Sequence, residues 1–278
     1  MAIDGSTRGL SAPDEVTAAL AVFRENPASV AVLLDIDGTL APIVDLASEA
    51  TVPEITRQLL MRASRRYRAV ACVSGRRASE SRAMVGVGII TYIGSHGAEL
   101  LEPGWTEAVL DPALEGWADR IARFRRDSDT AELRRARVRI EDKGPIVAFH
   151  WRGADDEMTA REAVDALAAH AAADGLEIHW GRKVMEVRPP VRIDKGAGVR
   201  ALVARSGVTR ALYAGDDVTD LDAFTALRAL RRDGVLQHCL CVGVASEDGP
   251  AAIREEADVV VDGTSGMLDV LAALTAGE

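Results

Sequence analysis

Stretches that are apolar at nearly every position recur along this chain, and each ends in a polar turn. Val30 to Ile36 is the first, followed by Ala69 to Val73 and Ile89 to Ile93. A strand with no polar alternation has both faces covered, as in a parallel sheet sandwiched between helices. Pro53 to Tyr67 and Ala78 to Val85 carry helical spacing, and Pro53 suits a first-turn position. The order strand, helix, strand, helix, strand predicts a doubly wound α/β sheet.

The texture changes after Pro103-Gly104 and Asp111-Pro112. Ala113 to Ala136 is helical and heavily charged, in two pieces. Alternating segments then predict a small, mostly antiparallel sheet from Arg137 to Asp142, Ile146 to Arg152, Glu177 to Trp180 and Val184 to Arg188. A helix from Asp155 to Ala173 lies between the second and third. Pro189-Pro190 ends this block. The buried pattern returns with a helix over Lys195 to Ser206 and a strand over Ala211 to Ala214. Then come a helix over Asp222 to Leu230, strands over Leu240 to Val244 and Val259 to Val261, and a last helix over Met267 to Ala276. The expected organisation is a discontinuous core, 1–108 plus 190–278, with an inserted α+β cap domain at 109–189.

Composition adds exclusions. The net charge of −10 argues against nucleic-acid binding, which needs a basic face. No apolar stretch approaches the roughly 20 residues that span a bilayer. The first residues, MAIDGSTRGLSAPDE, are polar, lack a signal-peptide core and predict a short, loose N-terminus. Cys72, Cys239 and Cys241 are too few and too scattered for a disulfide framework. Together these features predict a cytoplasmic protein with buried thiols.

Four motifs carry the candidate chemistry. Asp35-Ile36-Asp37-Gly38-Thr39-Leu40 closes the first core strand, where open α/β sheets bind ligands. Two carboxylates there can divide the work of phosphoryl transfer. One attacks phosphorus, and the other protonates the leaving oxygen and later accepts a proton from water. Gly38 permits a sharp turn, and the amides after it, from Thr39 onward, can cup phosphate oxygens. Ser74-Gly75-Arg76 follows the second strand with a hydroxyl and amides suited to the same anion. Asp194-Lys195-Gly196 starts a helix with an ammonium that can offset crowded negative charge. Gly215-Asp216-Asp217-Val218-Thr219-Asp220 follows another buried strand. Packed beside Asp35 and Asp37, these acids would repel one another unless a cation sat among them. An all-oxygen set favours Mg²⁺ over Zn²⁺.

In this order the four motifs resemble the haloacid dehalogenase phosphatase superfamily. Further stretches resemble its trehalose-6-phosphate phosphatase branch: Gly94-Ser95-His96-Gly97-Ala98-Glu99, Glu141-Asp142-Lys143-Gly144 and Gly181-Arg182-Lys183-Val184-Met185-Glu186-Val187-Arg188-Pro189. The likeness runs from about residue 30 to 270. It implies a Rossmann-like core with Asp35 as nucleophile and metal ligand. It implies Asp37 as acid/base, with its backbone carbonyl on the metal. Ser74 and Lys195 bind phosphate in this reading, Asp216 completes the Mg²⁺ site, and Asp217 and Asp220 help through water. Substrate contacts fall to Thr39, Gly75, Arg76, Glu99, Lys143, Arg152 and Glu186, with His150 and Arg182 as weaker matches. Carboxylate acceptors and long cationic donors are what a hydroxyl-rich disaccharide requires.

The chain departs from the branch at Ile36, where Tyr is common, and at Asp142, where His or another polar group is common. It departs again at Leu221, where an acid is common. Three readings follow. One is a trehalose 6-phosphate phosphatase. A second, for which these departures leave room, is a phosphatase for another glycosyl phosphate or a pseudo-disaccharide phosphate, such as sucrose phosphate, mannosyl-3-phosphoglycerate or a natural-product sugar phosphate. The third is a catalytically silent regulatory subunit partnered with a glycosyltransferase.

Overall fold

The computed structural model describes residues 9–44 and 50–277. Helix α1 (Pro13–Glu25) is the first element among the described residues, and it takes up part of the loose start expected through Glu15. Its polar first turn hid the spacing that matters: Val16, Ala19, Leu20 and Phe23 lie on one face, and Leu20 and Phe23 are buried. Residues 1–8 of the expected loose segment lie outside the described residues. There follow β1 (Val30–Leu34), α2 (Glu54–Arg66), β2 (Ala69–Val73), α3 (Ala78–Val85), β3 (Thr91–Gly94), β4 (Glu99–Leu101) and β5 (Val109–Leu110).

An inserted stretch then contributes α4 (Trp117–Ser128), α5 (Ala131–Arg135), β6 (Arg139–Asp142), β7 (Val147–His150), α6 (Glu157–Ala173), β8 (Glu177–Gly181) and β9 (Val184–Arg188). The chain ends with α7 (Lys195–Ser206), β10 (Arg210–Gly215), α8 (Asp220–Arg232), β11 (His238–Ala245), α9 (Ala251–Glu256), β12 (Val259–Asp262) and α10 (Gly263–Thr275). Two compact units result, Met1–Val109 with Ile193–Glu278, and Leu110–Arg192.

The large unit is built on an eight-stranded sheet of order β12-β11-β10-β1-β2-β3-β4-β5. Strands β12 through β3 pair in parallel, and β4 returns antiparallel to β3. Strand β1 shows why its sequence lacks alternation. Val30, Val32 and Leu34 face a cluster with Leu20, Leu60, Leu271 and Leu274 from α1, α2 and α10. Ala31 and Leu33 face the opposite cluster with Val199, Leu202, Phe224 and Leu227 from α7 and α8. Each side chain has an apolar layer to meet, so no position in β1 tolerates a polar group.

From β1 the chain winds outward through β2 and β3, and later returns to fill β10, β11 and β12 on the other side. The order therefore reverses between β1 and β10. Crevices at the carboxyl ends of strands flanking such a reversal are where this class of sheet binds ligands.

The smaller unit has an antiparallel sheet of order β6-β7-β9-β8. One face of it packs on the helices through Ile140, Val147, Phe149, Met185 and Val187, which join Ile121, Phe124 and Val164 in a core of its own. Pairing of Glu141 with Ala148, Ala148 with Glu186 and Glu186 with His179 lines up the residues of the other face.

Candidate active site

The loop after β1 is shaped by its own backbone. Asp35 still donates its amide to Ala214 across the sheet at 2.9 Å. The carbonyl of Ile36 then accepts from Leu40 and Ala41, both at 2.8 Å, closing a tight turn. Gly38 sits in that turn at φ +85°. A Cβ at this position would lie 2.0 Å from Asp216 Oδ2, so only glycine lets the two loops approach. Thr39, fully buried, donates its hydroxyl to Asp216 Oδ1 at 3.2 Å. The structure thus turns Thr39 toward the carboxylate of Asp216.

Lys195 stands at the start of α7, whose N-terminus is capped by Asp194 accepting from the Ala197 amide at 2.6 Å. Its ammonium donates to Asp35 Oδ1 and to Asp220 Oδ1, each at 2.6 Å, with both partners and the lysine almost wholly buried. Asp220 also accepts from the Tyr213 hydroxyl at 2.6 Å and, through Oδ2, from the amides of Asp216 and Asp217 at 3.0 Å. Those four bonds use every lone-pair site of the carboxylate. Gly215 leaves room for this fold-back, because a Cβ there would meet Asp220 Cγ at 2.3 Å.

The charges in this nest do not balance. Oxygens of Asp35, Asp216 and Asp220 lie within 4.8 Å of one another, and Lys195 is the ammonium between two of them. Burial raises the Asp35 carboxyl well above its usual range; Lys195 opposes the shift, and Asp220 and Asp216 add to it. Burial likewise raises Asp216 to about 6, with the Asp220 charge reinforcing it. Three carboxylates against one ammonium leave two excess negative charges in a buried, all-oxygen setting. A hard divalent cation fits this donor set and this deficit.

Asp37 lies on the same loop but in a separate contact. Arg76 grips it with two parallel bonds, Nε to Oδ2 at 2.7 Å and Nη2 to Oδ1 at 2.6 Å. Ser74, buried after β2, accepts the Arg76 amide on its hydroxyl at 3.1 Å. Its neighbour Gly75 has no room for a side chain, since a Cβ would meet the His96 ring at 2.8 Å. His96 is held at φ +58° with its amide donating to the Ser74 carbonyl at 3.0 Å. Glu99 is buried, accepting the Ala78 amide at 2.8 Å and pairing with Arg77 at 3.3 Å. With its side chain 2 % exposed, it anchors the start of α3 and offers little surface to a sugar hydroxyl.

In the smaller unit the structure brings Lys143 and Glu186 together at 2.9 Å and adds Arg188, which contacts the same carboxylate. Burial disfavours the Glu186 charge, yet Lys143 and Arg188 outweigh it and hold the group down at about 2. His150 meets Glu141 at 2.7 Å on the same face. Arg152 is outside this cluster, exposed, and reaches the Arg182 carbonyl at 3.5 Å. Arg188 was missed by sequence reasoning although it lies two residues from Glu186 on one strand, a spacing that puts both on one face.

A family profile described as trehalose-phosphatase matches residues 33–258 of this chain. An uncharacterized glycosyl hydrolase of Mycobacterium tuberculosis is 35% identical over 219 residues, covering 75% of this chain and 16% of that protein. The trehalose-phosphate phosphatase of Mycobacterium marinum is 36% identical over 212 residues, covering 71% of this chain and 51% of that protein. The chain thus spans about half the length of that phosphatase and a sixth of the glycosyl hydrolase. Among solved structures, a trehalose-6-phosphate phosphatase related protein superposes with a TM-score of 0.65 at 25% identity, covering 88% of this chain and 96% of that one.

Proposed function

The chain belongs to the trehalose-phosphatase family, and on that premise we propose that it is a Mg²⁺-dependent phosphatase of the haloacid dehalogenase type that converts trehalose 6-phosphate to trehalose and phosphate through an aspartyl-phosphate on Asp35. One observation carries the reading. At the carboxyl ends of β1 and β10 a buried ammonium is clamped between two carboxylates, with a third carboxylate beside them.

Asp35, Asp216 and the backbone carbonyl of Asp37 would hold the Mg²⁺, with Asp217 acting through water. When bound, the ion supplies positive charge that offsets the carboxylates and the incoming phosphate. The rest is the work of side chains. Asp35 Oδ attacks phosphorus in line as the bond to the sugar oxygen breaks, and Asp37 gives that oxygen a proton. Water then attacks the phosphorus of the aspartyl-phosphate, Asp37 takes the proton, and phosphate leaves with Asp35 restored.

Lys195 has three N–H groups and spends two on Asp35 and Asp220, so one remains for a phosphate oxygen. Ser74 and the amides around Gly75 supply neutral donors to the same group. Arg76 releases Asp37 when a phosphate competes for its guanidinium. In this reading Thr39 serves Asp216 and Glu99 serves the start of α3. Sugar recognition falls to Lys143, Glu186 and Arg152, with Arg188 added.

The setting proposed is the cytoplasm, which keeps the three cysteines as free thiols. No described helix is long and apolar enough to cross a membrane. A glycosyltransferase reaction must supply the substrate, since a disaccharide phosphate arises by glycosyl transfer to a sugar phosphate.

Phosphate release from trehalose 6-phosphate, sucrose phosphate, mannosyl-3-phosphoglycerate and a set of monosaccharide phosphates, each with Mg²⁺ and with chelator, tests the proposal. Turnover highest on trehalose 6-phosphate, and lost with chelator, supports it. Preference for another substrate would move the specificity, and no turnover on any of them would favour the silent subunit.

A further inference from the structure

Tyr213 is a buried tyrosine on β10, three residues before Asp216, and the mechanism above gives it no task. Its ring packs edge-on against Phe224 with centroids 6.0 Å apart, so packing accounts for the ring. The hydroxyl is a different matter. It donates to Asp220 Oδ1 at 2.6 Å, the same oxygen that accepts from the Lys195 ammonium. Lys195 in turn donates to Asp35 Oδ1. A buried hydroxyl, a buried carboxylate and a buried ammonium thus run in series to the proposed nucleophile.

Asp220 is fixed from both sides. Its Oδ2 is pinned by two backbone amides, and its Oδ1 is shared by Tyr213 and Lys195. We propose that Tyr213 is a positioning residue: its hydroxyl holds Asp220 Oδ1 on Lys195, and so aims the lysine at Asp35. The assignment rests on the phosphatase reading and goes beyond it, because it gives Asp220 to the lysine and not to a metal.

Without the tyrosine hydroxyl, Oδ1 has a free lone pair. With Oδ2 still held by the two amides the carboxylate keeps its place, but Oδ1 is then aligned by Lys195 alone, and the ammonium can shift from its position on Asp35. Substrate affinity should change little, because Tyr213 touches neither phosphate nor sugar in this scheme. The rate of the covalent step should suffer.

The Tyr213→Phe variant keeps the ring and its packing on Phe224, so the fold is expected to persist. Two measurements on the full chain separate the outcomes. Steady-state kinetics with Mg²⁺ should show kcat reduced about tenfold with KM within about twofold. Nitrogen-15 labelling of lysine side chains should show a solvent-protected ammonium signal in the wild type. Lys195→Arg removes that signal and assigns it, and Tyr213→Phe shifts or broadens it. An unchanged ammonium signal, or kcat within about twofold of wild type, overturns the proposal. A fall in kcat matched by an equal rise in KM or a large drop in melting temperature also overturns it, as general damage. Should the wild type release phosphate from no substrate, the phosphatase reading fails, while the ammonium signal still reports whether Tyr213 places the lysine.

Discussion

Replacing Lys195 with Met tests the charge balance of the buried nest without changing the shape of the side chain. Methionine keeps the stem and removes the ammonium that now sits 2.6 Å from both Asp35 and Asp220. Two carboxylates then face each other in a buried site. Breaking a buried pair by deleting one partner costs about 3–5 kcal/mol. The cost has a ceiling, because a carboxyl can take up a proton instead. Protonating an ordinary aspartate at neutral pH costs about 1.4 kcal/mol for each of the roughly three units between its reference value and pH 7, or about 4 kcal/mol.

The pH dependence follows in sign. Asp35 is already raised by burial and by its acidic neighbours, and loss of the lysine raises it further. A carboxyl whose folded value lies above its unfolded value penalises the fold above the unfolded value, and the penalty shrinks as pH falls. Urea unfolding in chelator should therefore show Lys195→Met less stable than wild type by about 3–4 kcal/mol near neutrality. The deficit should narrow on acidification, by at most about 1.4 kcal/mol per pH unit and only where Asp35 is ionised in the wild type and protonated in the variant. Added Mg²⁺ should restore part of it. A deficit below about 1 kcal/mol, or one that ignores pH, would refute the argument that Lys195 neutralises a buried carboxylate pair.

Other perturbations probe separate parts of the account. Gly38→Ala puts a Cβ 2.0 Å from Asp216 Oδ2, so the Mg²⁺ concentration for half-activation should rise about tenfold while stability falls by about 1–2 kcal/mol; unchanged activation by Mg²⁺ would contradict the placing of Asp216. Glu99→Gln should cost about 1–2 kcal/mol through the start of α3 and leave the preference among sugar phosphates unaltered; a change in substrate preference measured on the substrate panel would return Glu99 to the sugar site. Glu186 contributes stability that is present above the ordinary carboxylate value and lost as pH falls toward about 2. Lys143→Met should raise that midpoint, measured by carbon-13 titration of the Glu186 carboxyl, and a midpoint still at about 2 would show that Lys143 does not hold it.

Those parts of the fold buried on two sides were plain in the sequence. Strands β1, β2, β10 and β11 run through apolar layers on both faces, and the residues that fill them allow almost no polar interruption. Short elements gave no such signal. Strand β4 has three residues, and α9 is a six-residue helix. Helix α1 was obscured because its apolar face begins only after a polar first turn.

The candidate site was legible to the extent that strand ends announce it. Asp35 and Asp216 end adjacent parallel strands, so their meeting follows from topology. What side chains do once there was less legible. Thr39 and Glu99 have residue types suited to a ligand, yet the structure spends them on Asp216 and on the Ala78 amide. Asp220 resembles a metal ligand by spacing, but its oxygens fold back on two amides, a hydroxyl and an ammonium. Tyr213 carries no motif, because its contribution depends on an oxygen seven residues ahead that only the turn after β10 brings back.

The most direct test of the central claim is to find the covalent link at Asp35. Protein mixed with trehalose 6-phosphate and Mg²⁺, quenched within one turnover and treated with borohydride, should yield homoserine at position 35 on peptide sequencing by mass spectrometry. Asp35→Asn should give neither that product nor phosphate release. Phosphate release with an unmodified Asp35 in the trapped wild type, or full turnover by Asp35→Asn, would contradict the account.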